Sequence, residues 1–93
     1  MDEIALRRIE KYKKAGWTIN GDDLAVCGIG YISSPSGNCF TYYEIRLNRG
    51  LPPWDVWGDE EIKECKRFGK IVRLIERYYR SLYLERGLER LFD

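Results

Sequence analysis

Residues 59–82 read DEEIKECKRFGKIVRLIERYYRSL, and their pattern decides the C-terminal part of the fold. Val72, Ile75, Tyr79 and Leu82 recur at steps of three and four, and so do the cations Lys63, Lys66, Lys70, Arg73, Arg77 and Arg80. Two stripes of opposite character at one period describe a helix that packs on one side and offers cations on the other. Asp59, Glu60 and Glu61 open the stretch, where the positive end of the helix dipole favours carboxylates. The helix is expected from about 59 to 86, on the order of 40 Å at 1.5 Å per residue. Gly69 in its interior costs up to ~1 kcal/mol relative to Ala, so it marks close packing or a bend. Gly87 is the expected stop, with Leu88, Leu91 and Phe92 folding back or docking on a partner.

Working toward the N-terminus, residues 49–58 form a connection stiffened by Pro52 and Pro53. Its Trp54 and Trp57 are expected to pack over an end of the core. Residues 2–15 read as a first helix: Asp2 and Glu3 suit its N-terminus, Lys11, Lys13 and Lys14 its C-terminus, and Gly16 its stop. Its apolar stripe is Ile4, Ala5, Ile9 and Tyr12. Three strands are expected between the helices, at Trp17–Asn20, Leu24–Ile32 and Cys39–Asn48, joined by turn chemistry at 20–23 and 33–38. Pairing Ile32 with Cys39 places Leu24, Val26, Gly28, Gly30 and Ile32 on one face with Thr41, Tyr43, Ile45 and Leu47. The two glycines admit a helix or a tyrosine ring to that face, which makes it the better core face. The other face carries Cys27, Ile29, Tyr31, Phe40, Tyr42, Glu44 and Arg46. The expected fold class is a single α+β domain over 1–93: an N-terminal helix, a three-stranded antiparallel β-meander and a long C-terminal helix (α-β-β-β-α).

Charge is unevenly spread beneath a net +1. Residues 1–16 sum to +2, residues 17–62 to −5 and residues 63–93 to +4. The window 63–80 holds seven basic and two acidic residues, which suits either a solvated helix face or a surface for an acidic partner. With no His in the chain, the commonest general base and metal ligand is missing, and a non-enzyme is expected. Cys27, Cys39 and Cys65 include no CxxC pair, so reduced structural thiols are expected, with no metal and no cofactor. No apolar run reaches ~18 residues, so no membrane span is expected. The opening Met-Asp-Glu-Ile does not read as a secretory signal, and the chain is expected to be cytoplasmic.

Three constellations are candidates for function. The first is the basic helix row, Lys63, Lys66, Lys70, Arg73, Arg77 and Arg80, which suits contact with a nucleic-acid backbone. Arg7, Arg8, Lys11 and Lys14 extend it if the two helices lie side by side. Because the helix begins with carboxylates, phosphate contact is expected from its middle, Lys66 to Arg80. The second is an aromatic sheet face, Tyr31, Phe40 and Tyr42 with Arg46, suited to stacking unpaired bases or to a protein interface, or else buried under a helix. The third is an acidic pair, Asp22 or Asp23 with Glu44 near Arg46, of the kind that holds Mg²⁺ in metal-dependent nucleases. Arg46 stands where those sites use a lysine, which weighs against that reading.

The order helix–three strands–helix resembles that of double-stranded RNA-binding domains. Those domains carry a Gly- and Lys-rich motif at the start of the second helix, where this chain has Asp59-Glu60-Glu61. No site residue is carried over from them. The function expected from the sequence is a small non-catalytic binding protein engaging an acidic macromolecule, nucleic acid or a nucleoprotein complex, through the basic helix. A protein–protein antagonist of viral or phage type that blocks a host complex is the first alternative, and the nuclease the second. Homodimerisation through the long helix or the sheet face stays open.

Overall fold

A computed structural model describes residues 2–21, 30–48 and 58–86, with side chains through Leu82. Its elements are helix α1 (Glu3–Lys14), strands β1 (Thr18–Asn20), β2 (Tyr31–Ser33) and β3 (Cys39–Thr41), and helices α2 (Tyr42–Asn48) and α3 (Asp59–Arg86). The mixed α+β fold, with an N-terminal helix, a three-stranded antiparallel sheet and a long C-terminal helix, is therefore as expected. The expected residues 24–29 of the second strand, the Trp54–Trp57 connection, Gly87 and the apolar residues after it lie outside the described residues.

Helix α1 is bounded by side chains and by glycine. Asp2 caps it, its Oδ1 accepting from the Ala5 N–H at 3.0 Å. At the other end Trp17 N–H donates to the Tyr12 carbonyl and Gly16 N–H to the Lys13 carbonyl, the paired bonds of a Schellman motif. Gly16 has φ +101°, a conformation that a Cβ disfavours. The Trp17 ring then meets the Tyr12 ring edge-on, with centroids 6.0 Å apart, so the turn that ends the helix also delivers Trp17 to the core.

The sheet order is β1-β2-β3, and the inward row is Ile19, Ile32 and Phe40. The expected pairing of Ile32 with Cys39 is off by one: Ile32 pairs with Phe40, and Ser33 with Cys39. The reason lies in the connecting turn. Gly37 N–H donates to the Ser34 carbonyl, Ser34 N–H to the Asn38 carbonyl, and Gly37 adopts φ +99°. Pro35 favours the first central position of such a turn, and the closed loop fixes Ser33 opposite Cys39. A one-residue shift moves a side chain to the other face, so Phe40 enters the core while Tyr31 points outward, 43% exposed.

The third strand also stops early: residues 42–48, expected to continue it, are helical. Thr41 Oγ1 accepts from the Glu44 N–H at 3.1 Å, and Glu44 Oε2 accepts from the Thr41 N–H at 2.9 Å. This reciprocal capping box satisfies two donors at the start of α2. Helical spacing then buries Tyr42 and Ile45, while Tyr43 and Leu47, expected in the core, are 65% and 66% exposed. Tyr42 lies over Gly30, where an added Cβ would collide with its ring and with the Asn20 and Gly21 carbonyls. The expectation that a glycine admits a tyrosine ring therefore holds at Gly30.

Helix α3 is the common support. Phe68 meets Trp17 at 4.9 Å and Phe40 at 5.3 Å between centroids. Ile71, Val72, Leu74 and Ile75 complete a core with Ala5, Ile9, Ile32, Tyr42 and Ile45. A fully buried side chain of this size contributes roughly 1.5–3 kcal/mol relative to exposure. Near its start, α3 holds the hairpin: Glu64 accepts from Ser34 Oγ at 2.8 Å, Ser36 Oγ at 2.7 Å and Asn38 Nδ2 at 2.6 Å. Farther along, Glu76 pairs with Arg46 of α2 at 2.6 Å, and Arg77 with Asp2 of α1 at 2.9 Å. Successive helical positions point 100° apart, so α3 receives α2 and α1 on different sides. The Asp2 N–H also donates to Ser81 Oγ at 2.8 Å, which ties the start of α1 to the late part of α3 and sets the two helices antiparallel. Among the described residues, no helix is long and apolar enough to cross a membrane.

Candidate functional site

The antiparallel pairing of α1 with α3 creates a groove of about 800 Å³, lined by Arg8, Lys11, Tyr12, Ala15, Lys70, Arg73, Leu74 and Arg77. Arg8, Lys11 and Ala15 follow one another at steps of three and four along α1. Lys70, Arg73 and Arg77 do the same along α3, with Leu74 four residues after Lys70. Both rows sit beside the buried stripes, Ala5 and Ile9 on α1 and Ile71 and Ile75 on α3. Each helix thus places cations at the rim of the contact that holds the pair together. Tyr12 and Leu74 form the floor, with Ala15, exposed at the C-cap of α1, at one end.

Arg77 spends part of its capacity on the fold, since its Nη2 donates to Asp2 Oδ2. The Ala5 N–H, opposed by partial burial and then aided by Arg77, holds the Asp2 carboxyl below its ordinary value of 3.8. Arg77 is about half exposed, and a guanidinium has five N–H donors, so this bond leaves it able to take another anion. No acidic group among the described residues pairs with Arg8, Lys11, Lys70 or Arg73. The groove walls run about 10 Å, from residue 70 to residue 77 at 1.5 Å per residue. That length is close to the Debye length at physiological salt, about 8 Å, so the cations act on a ligand together.

The other residues singled out by sequence fall elsewhere. Lys63 lies 3.7 Å from Glu60 on the exposed side of α3, and Lys66 and Arg80 are exposed outside the lining. Arg7 and Lys14 are likewise exposed on α1 but do not line the groove. The aromatic group does not assemble into one surface: Tyr31 faces outward, Phe40 packs on Phe68, and Tyr42 is fully buried. Arg46, on α2, pairs with Glu76. The acidic pair lies partly outside the described residues. Glu44 is engaged in the capping box, and Asp22 and Asp23 lie outside the described residues.

Sequence reasoning did not find the groove floor or the Glu64 clamp. Leu74 lies beside the basic row at helical spacing, which was the available signal for the floor. Glu64 is held below its ordinary value of 4.5: burial raises it, but the Asn38, Ser36 and Ser34 donors and nearby Arg67 outweigh that effect. Burial, and then the Glu64 carboxylate, push the Cys65 thiol up from its ordinary value. Cys39 and Cys65 are both free thiols, and Cys27 lies outside the described residues. Comparison with family models, with curated proteins and with solved structures finds no match.

Proposed function

We propose that this is a non-catalytic binding protein that engages an acidic macromolecule through the α1–α3 groove. One observation carries the reading: Arg8, Lys11, Lys70 and Arg73, from two helices, line a single groove with no described acidic partner. Like charges gathered in this way repel one another and weaken the free fold slightly. An anionic ligand relieves that repulsion and releases its own counterions, so binding is favoured most at low salt. The groove residues are exposed arginines and lysines on rigid helices, arranged to present charge rather than to activate a bond.

Retention on an immobilised polyanion tests the reading. Lys70→Glu with Arg73→Glu is expected to lower the eluting salt concentration sharply. Lys13→Glu with Lys63→Glu makes the same change in net charge outside the groove and is expected to lower it much less. Equal losses in the two double variants would show that net charge, not the groove, governs binding.

A further inference from the structure

The shape and lining of the groove say more than its charge. Building on the reading above, we infer that its ligand is a single-stranded nucleic acid, held along its phosphodiester backbone between the two helices with a base against Tyr12.

Packed helices lie about 8–10 Å apart, axis to axis. The furrow between such a pair admits one chain, whose phosphates then meet Arg8 and Lys11 on one wall and Lys70 and Arg73 on the other. A duplex is wider than that spacing and cannot lie between the helices. Guanidinium groups on opposite walls, Arg8 and Arg73, suit phosphate oxygens because their forked donors bind two oxygens at once.

The floor argues against an acidic protein helix in the same place. Such a helix gains its affinity from large apolar anchors set in deep pockets. Besides Tyr12, the floor offers only Leu74, 7% exposed, and at one end the Ala15 methyl group, so an apolar anchor would rest mainly on lysine and arginine stems. Phosphate contact needs no such pocket. Tyr12 supplies an aromatic group for a base: it lines the groove, half-buried against the core and braced edge-on by Trp17. Stacking on a tyrosine tolerates any base, in keeping with contact made through the backbone.

Fluorescence anisotropy at low salt, on the whole chain, separates the possibilities with four probes. These are a labelled oligothymidylate, a duplex of equal length, an abasic oligonucleotide of equal length, and a polyglutamate peptide. The oligothymidylate is expected to bind most tightly, with the abasic strand about 5-fold or more weaker for want of a stacked base. With four phosphate contacts, the slope of log K against log salt should be about −2.8, moving to about −1.4 in Lys70→Ala with Arg73→Ala. Tighter binding of the duplex, or an unchanged slope in the double variant, would overturn the single-strand assignment. Equal binding of the abasic strand would remove the role given to Tyr12. If polyglutamate binds and the oligothymidylate does not, the groove still serves an acidic partner but the ligand is a protein. If none of the four binds, the broader reading falls as well.

Discussion

Gly30 and Gly69 show how differently one residue type serves this chain. At Gly30 a Cβ would meet the Tyr42 ring and two carbonyls, so Gly30→Ala forces apart packed groups that cannot yield. Overpacking of this kind costs about 1–3 kcal/mol, read as a lower urea midpoint at unchanged slope. Gly69 lies inside α3, where a Cβ would find only the tip of Arg73, 4.0 Å away, and the helix continues through it. Close packing, one of the two roles suggested by its position, is not found there, and Gly69→Ala is expected to stabilise the fold by up to ~1 kcal/mol. Opposite shifts of the two midpoints are the expected result; a destabilising Gly69→Ala would reveal a constraint on α3 not visible in its contacts.

Glu64 sets a second residue-scale expectation, in acid. Its carboxyl is held below its unfolded value near 4.5 by the hairpin donors and Arg67, against the effect of burial. A depressed value means that its stabilising contribution is fully present above pH 4.5 and is lost as pH falls through the lower folded value. In Glu64→Gln the amide has no proton to take up in this range. Unfolding free energy measured from pH 6 to pH 2 should therefore fall less steeply in the variant than in the parent. Parallel curves would mean that the carboxylate is not held as described.

At the scale of elements, the β3–α2 junction rests on one small motif. Thr41→Ala removes the oxygen that caps α2 and is expected to cost about 0.5–2 kcal/mol, with Thr41→Ser losing less because the hydroxyl is retained. Equal losses from both would indicate that the Thr41 methyl group matters more than the cap. This junction also explains what the sequence concealed. Residues 42–48 read as strand because Tyr and Ile favour strands and the apolar residues at 43, 45 and 47 alternate. The signal for helix was the Thr41–Glu44 pair at capping spacing, which outweighs those preferences once Tyr42 and Ile45 have a core to enter. The long helices were legible because their periodicity runs for many turns and their ends carry charge of the right sign. The strand register was not, since it depends on the closure of the 34–38 turn, which one residue can shift. The α3 half of the groove was visible as a basic row. The contribution of α1 was visible only as a condition, that the helices lie side by side, and the floor emerged from the packing itself.

At the scale of the whole molecule, α3 organises everything around it. Its early turns carry the sheet through Phe68 and the hairpin through Glu64, and its later turns carry α2 and α1 through Glu76 and Arg77. The groove is therefore a product of the tertiary fold: a peptide of residues 59–82 keeps the basic row but lacks Arg8, Lys11 and Tyr12. A two-dimensional amide NMR titration of the intact chain with an oligothymidylate at low salt tests this most directly. The account predicts that shift changes concentrate at Arg8, Lys11, Tyr12 and Ala15 on α1 and at Lys70, Arg73, Leu74 and Arg77 on α3. Changes centred instead on Tyr31 of the sheet, or on Tyr43 and Leu47 of α2, would contradict it.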